Sequence, residues 1–368
     1  MVRVLHVVTY MGRGGLETML MNYYRNIDRS KVQFDFLCHR DFEADYDAEI
    51  LSLGGRIYRL PNLNPFSKTY LNALESFFAQ HKEYKIVHSH IDCMSAIPLK
   101  YAKKYGVPVT IAHSHNSNQP KDKNYPLKII YKRSIYKYAD YLFACSKNSG
   151  IWMFGKKFSN DIHVMNNAID TKQYIYNEQI AKSVRERYNL GNNFVVGHVG
   201  RFNTQKNHTY LIDIFNELLK IDPSAKLVLV GDGDLKKSIK KKIDDLNISD
   251  SVVFTGIVPN VNEIAQCFDV FCFPSLFEGL SVAMVEIQAT GVKSVISDTI
   301  SKECIITDNV EMLPIDANPK IWADKLITFK GTYIKKNMLD SVEKANFDIK
   351  KNAMWLQEFY LNEYNNKH

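Results

Sequence analysis

The sequence predicts an α/β chain built as two doubly wound, parallel-sheet domains. Three observations carry this. Short β-branched runs alternate with helical patterns from end to end, the alternation lapses once in the middle, and the chain is 368 residues long. At roughly 150 residues per domain that length suits about two domains. Strands separated by helices form parallel sheets from right-handed crossover units.

Each element follows in order. In the first half, strands are read at 2–9 (VRVLHVVT), 32–39 (VQFDFLCH), 85–90 (KIVHSH), 107–114 (VPVTIAHS) and 141–146 (YLFACS). In the second half they are read at 194–200 (FVVGHVG), 225–233 (AKLVLVGDG), 251–256 (SVVFTG), 270–275 (VFCFPS) and 293–298 (KSVISD). The segment 209–220 sets Leu211, Ile214, Phe215, Leu218 and Leu219 on one helical face. The pattern lapses at MNNAIDTKQYIYNEQ, which divides the chain into a domain over 1–168 and a second over 169–351. The stretch 352–368 reads as an amphipathic terminal helix that packs back on the first domain.

Composition excludes several classes. Hydrophobic residues make up 45% and charged residues 24%, which rules against a disordered or fibrous chain. No stretch approaches 18 consecutive apolar residues, so no transmembrane helix is expected. The opening MVRVLHVVTYMGRGG has too short an apolar run for a signal peptide. Six scattered cysteines without a CxxC pair read as reduced, buried thiols of a cytosolic protein. Residues 1–170 hold 23 Lys+Arg against 15 Asp+Glu, whereas the remainder holds 24 against 25. The basic excess therefore lies in the first half, facing either solvent or an anionic partner such as a membrane or nucleic acid.

Three motifs follow strands, where open α/β sheets bind ligands. GRGGLET (12–18) comes after the first strand, and its glycines allow backbone to approach a phosphate at a helix start. It is not a GxGxxG fingerprint, because Glu17 stands where the third glycine would be. GRFNTQKN (200–207) places Arg201 and Lys206 five residues apart, a pair suited to neutralising a diphosphate. PSLFEGLSVAMVEIQATG (274–291) carries Glu278 and Glu286. Gly279 is read as opening a helix whose free N–H groups favour an anion. On one continuous helix Glu286 lies about 12 Å beyond Glu278. Both carboxylates suit sugar hydroxyls, one of a hexose and one of a ribose.

With these motifs in this order, the chain resembles the retaining glycosyltransferases of family 4, which have the GT-B fold of two Rossmann-like domains facing across a cleft. The family's G-G-x-E matches Gly14, Gly15 and Glu17, its phosphate loop matches Gly200, Arg201 and Lys206, and its E-x7-E matches Glu278 and Glu286. FTGIVPNVNE (254–263), with Val258, is similar to the nucleobase loop, and GDGDLKK (231–237) to the family's turn. The tail SVISDTISKECIITDNVEMLPID looks like the capsular and exopolysaccharide branch. One departure is Asn167-Ala168-Ile169-Asp170, where many members have N-G-I/V-D.

The resemblance implies transfer of a hexose or N-acetylhexosamine from a nucleotide diphosphate sugar, with retained configuration and without a metal or other cofactor. Arg201, Lys206 and the helix start at Gly279 and Leu280 would stabilise the leaving diphosphate. Glu278 would hold the donor sugar and Glu286 the ribose, while Gly14 and Gly15 offer N–H groups. The family also places a histidine near the reacting sugar. His88 and His90 end one strand and His113 and His115 another. His115 is taken as the catalytic histidine, with His113, His90 and Glu17 on the acceptor side. Strand alternation is read as letting only one of His113 and His115 face the cleft, and His6 as core. Asp232-Gly233-Asp234 is read as a turn and not as a metal-binding DxD. Asp45-Tyr46-Asp47 is a chance match.

The stretch 121–141 interleaves Lys121, Lys123, Lys128, Lys132, Arg133 and Lys137 with Leu127, Ile129, Ile130 and Ile135 and with tyrosines. Such a basic amphipathic helix suits an anionic membrane surface and a lipid-linked saccharide acceptor, hence peripheral placement inside the plasma membrane. Nucleic acid is set aside because no aromatic RNA-binding motif accompanies the charge. Two other readings stay open: a nucleotide-sugar epimerase on the same scaffold, and a non-catalytic partner subunit.

Overall fold

A computed structural model describes residues 1–116 and 125–367. The chain separates into two compact units, Met1–Ala168 with Asp348–His368, and Ile169–Phe347.

The first unit holds a seven-stranded sheet. Its strands are β1 (Val2–Val8), β2 (Val32–Cys38), β3 (Ile57–Arg59), β4 (Ile86–Ser89), β5 (Val109–Ser114), β6 (Tyr141–Ala144) and β7 (Ile162–Val164), in the order β3-β2-β1-β4-β5-β6-β7. Every pairing is parallel. The second unit holds β8 (Val195–Val199), β9 (Lys226–Val230), β10 (Val252–Gly256), β11 (Val270–Phe273), β12 (Lys293–Ser297) and β13 (Val310–Leu313), in the order β10-β9-β8-β11-β12-β13. These pairings are parallel too. Burial explains the register. β2 is buried along its whole length and β8 likewise, as expected for strands covered on both faces.

Both sheets reverse their winding once, between β1 and β4 and between β8 and β11. Those switch points open a crevice beyond the strand ends, the usual ligand position in such sheets. The core of the second unit is fed by Leu211, Ile214, Phe215 and Leu218 of the helix His208–Ile221. Leu219 of that stretch is only partly buried.

The terminal helix Ile349–Asn366 belongs to the first unit and buries Leu356 and Tyr360. It starts three residues before the stretch read from the sequence, because Asp348 caps it by accepting from the Lys351 N–H at 3.0 Å. All six cysteines are buried free thiols. No helix among the described residues is long and apolar enough to cross a membrane. Lys121 and Lys123 lie outside the described residues. The part of the basic stretch that is described forms the helix Tyr125–Ser134 and a short turn, Ile135–Lys137. Ile130 and Tyr136 are exposed there, while Lys132 folds back over the Trp152 ring at 3.9 Å.

Candidate active site

In the second unit the loops after β8 and β11 meet at the switch point. Gly200 donates its N–H to Val230 O at 2.9 Å. A Cβ there would meet Lys206 side-chain carbons at 2.8–3.0 Å, so glycine lets the lysine stem lie across the strand end. Gly231, at φ +132°, packs so closely on the Gly200 carbonyl that no side chain fits.

Lys206 Nζ donates to Glu278 Oε1 at 2.8 Å and sits 4.4 Å above the Phe273 ring. Gln205 Nε2 donates to Glu278 Oε2 at 3.2 Å and to Phe277 O at 3.0 Å, and Leu276 N–H donates to Gln205 O at 2.8 Å. The Lys206 and Glu278 side chains are only 13% and 6% exposed, so this is a largely desolvated ion pair. Arg201 is exposed on the same loop. Sequence reasoning missed Gln205, whose amide stitches the two loops together.

Two expectations are corrected here. Gly279 does not open the helix, which runs Val282–Ala289 from Ser281. The chain before it is held as a loop by the Leu276–Gln205 bond, by the Glu278 ion pair and by Cys304 Sγ donating to Gly279 O at 3.1 Å. The 12 Å separation of Glu278 and Glu286 along one helix therefore lapses. Leu280 is buried ahead of the helix, and Val258 is half-buried in the loop after β10. Glu286 is buried and accepts from Tyr174 Oη at 2.6 Å. Burial raises its pKa, opposed by the Tyr174 hydrogen bond. Tyr174 lies in the non-periodic stretch at 165–180, where only its aromatic character marked it.

Asp232 serves a turn, accepting from Gly233 N–H at 2.7 Å and from Lys236 Nζ at 2.6 Å.

In the first unit Gly14 caps the helix Gly15–Asn26, and Thr18 N–H donates to Gly14 O at 2.9 Å. A Cβ on Gly14 would strike the Glu17 carboxylate, whereas one on Gly15 would meet nothing within 4 Å. Glu17 sits in the first turn, favourably placed for the helix dipole.

The histidines form one cluster. His6 Nδ1 and His90 Nε2 are 2.9 Å apart, His90 Nδ1 and His115 Nε2 3.0 Å, and His88 Nε2 and His113 Nδ1 3.1 Å. His88 Nδ1 lies 2.7 Å from Tyr360 Oη of the terminal helix. The expectation that His113 and His115 face opposite ways is wrong. Residues two apart on a strand share a face, and these two rings stack with centroids 4.1 Å apart. His6, His88, His90 and His113 are buried and His115 is partly exposed. Burial lowers the pKa of each, that of His6 to about 3, so the rings are neutral. Asp92 braces the cluster from a left-handed backbone (φ 44°), accepting from His115 N–H and Asn116 Nδ2, both at 2.8 Å.

Two doubly wound units, each with polar side chains gathered at its switch point, define an α/β protein of the doubly wound class that binds ligands beyond its strand ends. The comparisons make the class specific. Residues 13–173 match the family model "Glycosyltransferase Family 4" and residues 181–341 match "Glycosyl transferases group 1". The chain is 33% identical to the putative glycosyltransferase EpsF of Bacillus subtilis (strain 168), over 97% of this chain and 96% of that protein. It is 22% identical to a UDP-Gal:alpha-D-GlcNAc-diphosphoundecaprenol alpha-1,3-galactosyltransferase of Escherichia coli, over 100% of this chain and 98% of that one. Among solved structures, Anabaena Alr3699/HepE in complex with UDP-glucose superposes with a TM-score of 0.81 at 16% identity, over 98% of this chain and 100% of that chain. The chain belongs to the family 4 glycosyltransferases, with the GT-B fold, and is a transferase of the EC 2.4 class.

Proposed function

We propose that the enzyme transfers a hexose or N-acetylhexosamine, with retained configuration, from a UDP-sugar to a lipid-linked or glycan acceptor in cell-surface polysaccharide synthesis. The observation that carries this reading is the desolvated Lys206–Glu278 pair at the β8/β11 switch point. A cation and a carboxylate held side by side suit a donor with a diphosphate next to a sugar. The names of the Escherichia coli relative and of the UDP-glucose-bound Anabaena structure support UDP as the nucleotide and a polyprenyl diphosphate acceptor.

In this reading Lys206 and Arg201 neutralise charge that grows on the leaving diphosphate as the glycosidic bond lengthens. The helix start at Ser281–Val282, with Gly279 and Leu280 before it, adds its N–H groups. Glu278 orients sugar hydroxyls, Glu286 with Tyr174 the ribose, and Val258 borders the base. Gly14 and Gly15 present N–H groups to the phosphate or acceptor, with Glu17 on the acceptor side. His115 donates or accepts at the donor sugar, held in place by the buried His90 and His113. The leaving phosphate takes the acceptor's proton on the same face, and Arg201 and Lys206 offset its charge in place of a metal.

Membrane association is part of the proposal, resting on Ile130 and Tyr136 exposed beside Arg133 and Lys137. Flotation with anionic but not neutral liposomes, reversed by salt, is expected.

The deciding experiment screens UDP-, GDP- and TDP-sugars by thermal shift and then by nucleotide release. Release of UDP only when a polyprenyl-linked acceptor is present supports the reading. Formation of an altered sugar nucleotide without acceptor and without release of UDP would sink it in favour of an epimerase.

A further inference from the structure

We propose that His90, His113 and His115 form a three-nitrogen site for a divalent first-row transition-metal ion such as Zn²⁺ or Co²⁺. One ring nitrogen from each of these residues lies within 4.8 Å of the others. The closest pair, His90 Nδ1 and His115 Nε2, is 3.0 Å apart. Tetrahedral zinc with nitrogen at about 2.0–2.1 Å spaces its ligand atoms roughly 3.3 Å apart. Admitting an ion requires that hydrogen bond to open and the stacked His113 and His115 rings to turn apart until their in-plane lone pairs converge.

A second observation points the same way. His113 Nε2 is buried without a hydrogen-bond partner among the described residues. A buried polar atom left unsatisfied calls for an explanation, and a bound ion is one. With Nε2 of His113 as a ligand, its proton sits on Nδ1 and is donated to His88 Nε2 at 3.1 Å. His88 then donates from Nδ1 to Tyr360 Oη at 2.7 Å. With Nδ1 of His90 as a ligand, Nε2–H is donated to His6 Nδ1 at 2.9 Å. Each neutral imidazole then carries one proton, and each of these two ligands has an outer acceptor. Metal-bound histidines ordinarily have such partners.

The donor set fixes the class of ion. Three neutral imidazoles suit zinc, cobalt, nickel or copper and not magnesium or calcium, which take oxygen ligands. The Asp92 carboxylate, bonded to the His115 N–H at 2.8 Å, offsets part of the ion's charge. His6, His88 and His90 make a second triad of similar spacing, but all three are buried. His115 is partly exposed, which gives the proposed triad its route of entry. This part rests on the proposed function: with His115 contacting the donor sugar, an ion on its ring competes with that contact, so the site would be inhibitory.

The test uses the full chain, stripped with a chelator and then titrated with Co²⁺ alone. We expect one equivalent to bind, with the intense visible bands of four-coordinate cobalt, and Zn²⁺ to displace it. His115→Asn should weaken binding at least tenfold, and His163→Asn, on β7, should leave it unchanged. Zinc-edge X-ray absorption of the unsubstituted protein needs no variant, and three imidazole ligands are expected. Absence of stoichiometric uptake, fewer than three imidazoles, or full binding by a folded His115→Asn protein would overturn the proposal.

Discussion

Replacing Lys206 by methionine tests whether the ion pair at the β8/β11 switch is both scaffold and catalyst. The pair is 13% and 6% exposed, and its removal leaves the Glu278 carboxylate with Gln205 Nε2 at 3.2 Å. Stranding one member of a buried pair costs roughly 3–5 kcal/mol. Because Gln205 still donates and Lys206 is partly open, the lower end applies, about 3 kcal/mol. Urea unfolding of the parent and variant reads that loss as a lower midpoint at unchanged slope. Adding Glu278→Leu to Lys206→Met removes the remaining buried charge and should return stability to within about 1 kcal/mol of the parent, since apolar replacement of a buried pair is often neutral. Transfer should behave differently. Losing a fixed cation that faces developing charge lowers kcat by about 10²–10³-fold. The double variant should be no more active than the single one. If the double variant regains turnover together with stability, the pair is only a clasp. If Lys206→Met loses less than about 1 kcal/mol, the desolvation reasoning fails.

Three other outcomes follow from the same geometry. Burial raises the Glu286 pKa above its ordinary 4.5, so the stability tied to its neutral form is present below that value and is lost as pH rises through the folded one. Glu286→Gln should remove that loss, and a parent-minus-variant stability difference that stays flat from pH 4 to 7 would refute it. Gly200→Ala should displace Lys206, whose stem carbons lie 2.8–3.0 Å from the added methyl, lower kcat about tenfold, and cost no more stability than the about 3 kcal/mol of Lys206→Met in the same urea unfolding. Transfer should survive treatment with EDTA, whereas complete loss restored by Mn²⁺ would contradict metal-free stabilisation of the diphosphate.

The sequence carried the interior of both sheets and lost their margins. Ten strand runs were legible: nine are central strands, which are covered on both faces and read as continuous apolar stretches, and the tenth, β10, is an edge strand marked by its own run VVF. The three that were missed, Ile57–Arg59, Ile162–Val164 and Val310–Leu313, all lie at sheet edges. They are three or four residues long and largely half-buried or exposed, so no apolar run marks them. The helix start misplaced at Gly279 has a similar origin. Local composition favoured a turn into helix there, but long-range bonds from Gln205 and Lys206 hold residues 276–279 as a loop.

The histidines show what spacing can and cannot supply. His88 with His90, and His113 with His115, are each two apart, which places each pair on one face of its strand. That parity was available in the sequence, and applied correctly it predicts two stacked pairs and not two rings on opposite faces. What spacing could not supply is register. β1 pairs His6 directly with His88, and β4 sets His88 opposite Ile111, two residues before His113. Only that offset carries His90 to the level of His113, so that the rings of β1, β4 and β5 meet. The acceptor that completes the row, Tyr360, is 272 residues from His88 and arrives on the terminal helix. Five neutral rings at one switch point thus depend on strand order and chain return together. Removing that partner with Tyr360→Ala should therefore disturb His88, which it contacts, and His113 behind it, read as shifts of their imidazole NMR signals.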